Sequence, residues 1–273
     1  MREIAAFWDR RPCNIRHSKE RINSREYFEE VEKRKYFVEP HIVEFVNFPS
    51  WRGKRVLEIG CGIGTDTINF ARNGALVTAV ELSERSLDIA RQRAKVFGLQ
   101  DRIRFYFGNA EELRRFVPVE THDLIYSFGM IHHTPHPGRV IKEISFYVDQ
   151  SSILKLMVYH RYSWKALWIL LTYGSSQFWS RREKRGLISR YSEAQTGCPV
   201  TYLFSVQEIR QLLQRFGFRV LESKTDHIFP YQISDYRQYR YTKTWYFRWM
   251  PPSLFRWLEQ RFGWHLCVTA ALA

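Results

Sequence analysis

From Arg55 to Tyr159 the chain switches hydrophobic rhythm repeatedly, and this alternation limits its fold more than any other feature. "RVLEIG" (55–60) is a short apolar run that reads as a buried strand, and Thr65 to Asn73 reads as a helix ended by Gly74. "ALVTAVE" (75–81) is a second strand rich in small and β-branched residues. Ser83 then suits the N-cap of a helix in which Leu87, Ala90, Ala94 and Phe97 recur at three- and four-residue steps before Gly98. "RIRFYFGNA" (102–110), "HDLIYSFG" (122–129) and "SILKLMVY" (152–159) supply three more strands. Strands alternating with helices build βαβ units, so the chain is predicted to form an α/β fold with a doubly wound, mostly parallel sheet and helices on both faces.

After Tyr159 the rhythm breaks. Residues 160–204 are rich in Trp, Tyr and Arg and show no clear strand. A helix from Val206 to Phe216 leads through Gly217 into "FRVLESKTDHIF", and a final strand, "HLCVTAAL", follows a second aromatic stretch. These shifts divide the chain into an N-terminal helical lid (1–50), a ligand-binding core (51–160), a cap insertion (161–204), a core helix and strand (205–229), a second cap insertion (230–263) and a last core strand (264–273).

The turn after the first strand is the natural ligand site, because open parallel sheets bind ligands beyond the carboxyl ends of their strands. Gly60, Gly62 and Gly64 let the backbone turn tightly and approach a ligand with no Cβ in the way. Glu81, 21 residues after Gly60, ends the second strand, where a carboxylate can accept from both hydroxyls of a ribose. A dinucleotide turn reads G-x-G-x-x-G, with its third glycine packing helix on strand. Here Thr65 stands where that glycine would fall, which argues against a pyrophosphate on the helix.

The G-x-G-x-G spacing, with Glu58 before it and Asp66 after it, resembles motif I of the class I S-adenosylmethionine-dependent methyltransferases. "VTAVELSERSLDIAR", "GNAEEL" and "HDLIYSFGMIHHTPHP" resemble that family's following segments in the correct order. The resemblance implies a Rossmann-like, seven-stranded fold with S-adenosylmethionine as cofactor and S-adenosylhomocysteine as its product. It further implies Gly60, Cys61, Gly62 and Gly64 beneath the methionine part, and Glu58 and Asp66 near its amino group. Glu81 and Leu82 would hold the ribose, Asn109, Ala110 and Glu111 would surround the adenine, and Ser127 and Phe128 would line the floor. For Glu58 and Asp66, local electrostatics without ligand contact is the competing reading.

The acceptor is less constrained. His132 and His133, after the fourth strand, are candidate catalytic bases, since imidazole titrates near neutral pH; pocket lining is the alternative for both. "FWDRRPCNIRHSKE" is too polar for a core helix, and Trp8, Arg10, Arg16 and His17 are candidates to close the site or hold an anionic group, against a merely exposed basic arm. The following "SREYFEEVEKRKYFVEPHI" reads as an amphipathic helix with Tyr27, Val31 and Phe37 or Val38 on one side. The insertions, "YSWKALWILLTYGSSQFWSRREKRG" and "FPYQISDYRQYRYTKTWYFRWMPPSLFRW", suit a packed cap, a pocket for a small apolar acceptor, a stacking surface for bases or a membrane interface.

A methyl acceptor that is a small molecule is therefore expected, through oxygen by slight preference, with a thiol or amine next. The net charge of +14 keeps open an RNA acceptor or a non-catalytic nucleotide-binding scaffold at a membrane surface. Nucleic acid is disfavoured, since no N/D-P-P-Y/F signature follows the fourth strand, where "SFGMIHH" stands. Cys13, Cys61, Cys198 and Cys267 form no C-x-x-C pair and no histidine stands at metal spacing, so no metal site is expected and a reduced, cytoplasmic setting fits best. The oligomeric state has no sequence signal.

Overall fold

β1 (Arg55–Ile59) lies at the centre of the sheet, paired in parallel with β2 (Leu76–Glu81) on one side and β4 (Leu124–Phe128) on the other. β3 (Ile103–Phe107) extends the sheet beyond β2, and β5 (Ile153–Tyr159) pairs in parallel with β4. β7 (His265–Leu272) then inserts antiparallel between β5 and β6 (Phe218–Asp226), giving the order β3-β2-β1-β4-β5-β7-β6. The strand order reverses at β1 and β4, which puts the switch point at the glycine turn. The computed structural model describes residues 1–174, 181–193 and 196–273. The first insertion's "SSQFWS" and part of the 161–204 cap lie outside the described residues.

The core helices follow the periodicity that the sequence shows. α4 (Thr65–Arg72) starts straight from the glycine turn, and α5 (Glu84–Val96) is capped by Ser83 Oγ, which accepts from Ser86 N at 3.1 Å. α6 (Pro137–Ile144) and α9 (Val206–Gln214), the latter with a capping box between Ser205 and Glu208, cover the other face. One cluster of buried residues packs beneath α6 and α9 (Leu57, Ile125, Leu156, Ile209, Val268 among them), and a second lies beneath α4 and α5 around Val56, Phe70, Leu87 and Tyr126.

Of residues 7–20, read as too polar for a core helix, only the first four are helical, as the end of a helix that begins before them. α1 (Arg2–Arg10) is helical and buries Ile4 and Phe7. Its polar Asp9 serves a structural end, because Oδ1 accepts from Ser83 Oγ at 2.7 Å and from Arg85 N at 3.2 Å, docking α1 on the start of α5. In α2 (Arg25–Val38), Tyr27, Phe28 and Val31 are buried with Ile15, Ile63 and Ile89, whereas Phe37 is half exposed against Tyr231 and Tyr241. α3 (His41–Val46) returns the chain to β1.

The remaining helices stand outside the sheet's regular layers. They are α7 (Trp164–Tyr173), α8 (Arg181–Tyr191), α10 (Ile233–Arg237), α11 (Trp245–Arg248) and α12 (Pro252–Phe262). Arg34 of α2 ties α10 to the N-terminal segment: its guanidinium lies 4.0 Å from the ring centres of both Tyr236 and Tyr239 and donates to Tyr236 O. Trp245 and Trp249 are about four-fifths exposed. Among the described residues no helix is long and apolar enough to cross a membrane.

Candidate active site

The site grows from the turn after β1. Gly60 has φ +82°, and its amide and that of Cys61 donate to Val80 O at 2.8 and 3.1 Å, binding the turn to β2. A Cβ on Gly60 would lie 2.6 Å from Met130 Cβ, so this position takes glycine for space as well as for backbone conformation. Gly64, at φ +76°, would press a Cβ to 3.0 Å from Ala90 Cβ of α5. The close helix approach that a dinucleotide turn obtains from its third glycine is thus met here one residue earlier.

Glu81 ends β2 against this turn. Its Oε2 accepts from Gly62 N at 2.8 Å, and its Oε1 accepts from Leu82 N and Ser83 N, both at 2.8 Å. Burial raises the carboxyl above its ordinary value and the three amides oppose that rise. An ionised carboxylate offers about four acceptor directions, so the side chain is fixed in place with capacity left for a hydroxyl.

A partly enclosed cavity of about 200 Å³ opens beside Glu81. Of the residues singled out in the sequence, Trp8, Gly60, Gly62, Glu81, Leu82, Asn109, Ala110, Phe128 and His133 line it. Asn109 also caps the 3₁₀ turn Ala110–Arg115, its Oδ1 accepting from Glu111 N at 3.0 Å.

The others lie behind the wall or away from it. Glu58 is buried and accepts from Thr67 Oγ1 at 2.6 Å, with burial and then Asp66 pushing its carboxyl up to about 8. Asp66 accepts from Lys35 Nζ (2.7 Å), Tyr36 OH (2.9 Å) and Tyr126 OH (2.8 Å). Cys61 and Gly64 belong to the turn's inner side, Ser127 donates to Ile59 O at 3.1 Å, and Glu111 accepts from His136 N at 2.9 Å. Arg10 lies 5.8 Å from the Phe7 ring, and Arg16 offers its carbonyl to Tyr239 OH. His17 meets Tyr236 OH at 3.1 Å, with burial and then Arg34 holding it down to about 3.

The wall opposite Glu81 comes from residues that the sequence did not mark. Lys35, Glu39, Met157, Tyr159, Glu193 and His265 reach the cavity from four separate segments. Burial works against the Lys35 ammonium, but Asp66 and Glu39 more than compensate, so it stays charged. Glu39, buried and then partly relieved by Lys35, rises to about 7. The four segments share no motif, and only the folded chain joins them.

The two histidines differ sharply. His132 is fully buried, lies 3.8 Å from the Tyr159 ring centre, and neither ring nitrogen has a hydrogen-bond partner among the described residues. Burial, then His133, holds it well below the ordinary range, so its ring is neutral. His133 reaches the cavity with Nδ1 2.9 Å from Val200 O and Nε2 3.4 Å from Glu193 Oε1. Burial disfavours its charged form, yet Cys198 and Glu193 raise it to about 10, while Glu193, despite burial, is held to about 2 by His133. Tyr159 OH donates to the same Glu193 oxygen at 2.8 Å. At neutral pH this is an imidazolium–carboxylate pair.

A protein-family profile described as "Methyltransferase domain" matches residues 30–223, more than two thirds of the chain. The chain belongs to the class I S-adenosylmethionine-dependent methyltransferases. Among curated relatives it is 33% identical over 96 residues to the 27-O-demethylrifamycin SV methyltransferase of Amycolatopsis mediterranei, covering 35% of each chain. It is 34% identical over 90 residues to the ubiquinone biosynthesis O-methyltransferase of Shewanella pealeana, 33% of this chain and 37% of that one. The chain thus spans little more than a third of the curated relatives it matches. Solved structures share the fold at low identity. Magnesium protoporphyrin IX methyltransferase from Synechocystis PCC 6803, with bound S-adenosylhomocysteine, superposes with a TM-score of 0.59 at 16% identity over 100% of this chain and 99% of that one. The [4+2]-cyclase SpnF superposes at 0.54 and 15% identity, over 99% and 92%.

The cofactor of this methyltransferase family is S-adenosylmethionine, and the residues present fit it. A Cβ on Gly62 would meet nothing within 4 Å, so the turn leaves open backbone facing the cavity, and Glu81 is held rigidly as an acceptor beside it.

Proposed function

We propose that this methyltransferase transfers a methyl group to an anionic oxygen of a small acceptor seated between Glu81 and the His133–Glu193 pair. The observation that carries this reading is the charge of the opposite wall, where His133 and Lys35 are both cationic and both face the cavity. S-adenosylmethionine supplies an electrophilic methyl group on sulfur. Gly60 and Gly62 bring the backbone close to the methionine end, Glu81 accepts from the ribose, and Asn109 and Ala110 flank the adenine. Lys35 is held at that wall by its ion pair with Asp66. Glu58 and Asp66 then act through Thr67 and Lys35 rather than by direct contact.

With Nδ1 on Val200 O and Nε2 ion-paired with Glu193 at 3.4 Å, His133 acts as a fixed cation that pairs with the acceptor's oxyanion and orients it, and Glu193, itself accepting from Tyr159, holds that imidazolium in place. His132 supports the wall from behind. Such a wall favours phenols, enols and carboxylic acids, accommodates thiolates, and repels protonated amines. The segments 1–50 and 230–263 act as one lid, supported by Arg34 between Tyr236 and Tyr239 and by Tyr239 OH donating to Arg16 O at 3.0 Å.

Incubation with methyl-labelled cofactor and a panel of phenols, acids, thiols, amines and RNA tests this reading. Label is expected on acidic hydroxyls or carboxylates first and thiols second. Label appearing only on amines or in RNA would overturn it.

A further inference from the structure

Beside the acceptor wall stand three imidazoles and a carboxylate that methyl transfer, as described above, does not use. Glu39 follows α2, His227 follows β6 and His265 opens β7, so three distant segments deliver them to one place. One ligand atom from each lies within 4.8 Å of the others. Four ligands around a zinc-sized ion at about 2.05 Å stand about 3.4 Å apart, and His265 Nε2 is already 3.7 Å from Glu39 Oε1. We propose that Glu39, His227 and His265 bind a divalent transition-metal ion at the acceptor end of the cavity.

The surroundings meet the demands of such a site. Ligation through His265 Nε2 needs the ring proton on Nδ1, and His41 Nε2 waits 2.9 Å from Nδ1 to accept it. A histidine ligand whose second nitrogen is fixed by a buried partner is the usual outer arrangement of metal sites. In that tautomer Nε2 turns a lone pair towards a carboxylate oxygen, and a cation between the two converts repulsion into bonding.

His227 is equally constrained. Its backbone is left-handed at φ +72°, a conformation that residues other than glycine disfavour. The conformation is enforced from both sides: His227 N donates to Asp226 Oδ1 at 2.8 Å, and its carbonyl accepts from Trp264 N at 2.8 Å. The result places the His227 ring 4.6 Å from that of His265.

Two nitrogens and one carboxylate oxygen suit zinc-like ions, and three protein ligands leave a fourth position open. Glu39 and His265 both line the cavity, so the open position faces it. An acceptor hydroxyl or carboxylate would complete the coordination there; this last assignment, unlike the site itself, rests on the methyl-transfer reading.

Titration of the metal-free protein with Co²⁺ alone, followed by visible absorption, tests the site. The wild type should saturate at one equivalent with ligand-field bands that Zn²⁺ removes by competition. His265→Gln and His227→Asn, the latter chosen because asparagine tolerates the left-handed backbone, should abolish the bands, and Glu39→Gln should weaken binding at least about tenfold. A cooperative thermal unfolding transition retained in all three variants would show that each is folded. Calorimetry of S-adenosylhomocysteine binding to His227→Asn, whose side chain does not line the cavity, reports on the cofactor side independently, so the two readings fail separately. A wild type without saturable Co²⁺ binding, or bands that survive both histidine substitutions, would overturn the metal site.

Discussion

The two walls of the cavity are built by different rules. On the cofactor side, Gly60, Gly62, Glu81, Asn109 and Ala110 stand at the ends of β1, β2 and β3, and backbone hydrogen bonds hold them. On the acceptor side, Trp8, Lys35, Glu39, His133, Glu193 and His265 arrive from α1, α2, two loops and β7, and ion pairs and ring contacts hold them. The first wall depends on strand geometry, which any parallel sheet provides. The second depends on tertiary convergence, which leaves side-chain chemistry free to vary on a constant fold. The superposition of a [4+2]-cyclase at a TM-score of 0.54 illustrates that freedom.

The sharpest way to break this contrast is Glu81→Ala. It removes the acceptor for three backbone amides and, on the proposed reading, for the ribose, and charge-assisted hydrogen bonds are worth about 1.5–3 kcal/mol each. Affinity for S-adenosylhomocysteine should fall at least about 100-fold by calorimetry; a change below about threefold would mean that the cofactor wall is not where the sheet places it.

On the acceptor wall the leading effect is on stability and depends on pH. The His133 imidazolium is favoured by folding, so its contribution is full below its ordinary value of 6.5 and fades as pH rises towards about 10. The Glu193 carboxylate contributes fully above its ordinary 4.5 and fades as pH falls towards about 2. The pair therefore stabilises most between those ordinary values. His133→Gln should cost about 3 kcal/mol near pH 6, the scale for breaking a buried pair, and clearly less near pH 9.5, as read by guanidinium unfolding. A cost that does not change with pH would mean that His133 is neutral in the fold.

Arg34→Leu is the mildest change. It removes the cation from between Tyr236 and Tyr239, an interaction of about 1–2 kcal/mol when desolvated. It should raise KM for the acceptor several-fold and leave cofactor affinity unchanged. Equal losses on both sides would show that the lid serves the two walls together.

The sequence exposed the two walls unequally for physical reasons. Glu81 was legible because a strand end, a glycine turn and an acidic side chain lie within one local unit. The doubly wound, mostly parallel sheet followed from the alternation of strand and helix, and its seven strands from the family resemblance. Gly64 was read as part of the ligand turn, but its contact with Ala90 is a helix-packing constraint that spacing alone cannot reveal. Phe37 fell on the expected apolar stripe of its helix, yet the stripe turns by Phe28, because Ile15 and Ile89 pack against that side. Lys35 looked like one cation among 42 Lys and Arg residues, and only its pairing with Asp66 inside the fold distinguishes it. Glu39, His227 and His265 carry no mutual spacing at all.

The place of β7 has a consequence for the order in which the protein takes shape during synthesis. Among the described residues β6 has no sheet neighbour other than β7, and β5 keeps an open edge until β7 fills it. The strands carrying Gly60, Glu81 and Asn109 can therefore assemble while the ribosome is still far from His265, whereas the far half of the sheet must wait, with β5 and β6 exposed to mispairing. On the proposed division of the cavity, a nascent chain of this protein would be able to hold its methyl donor before it has any place to put an acceptor.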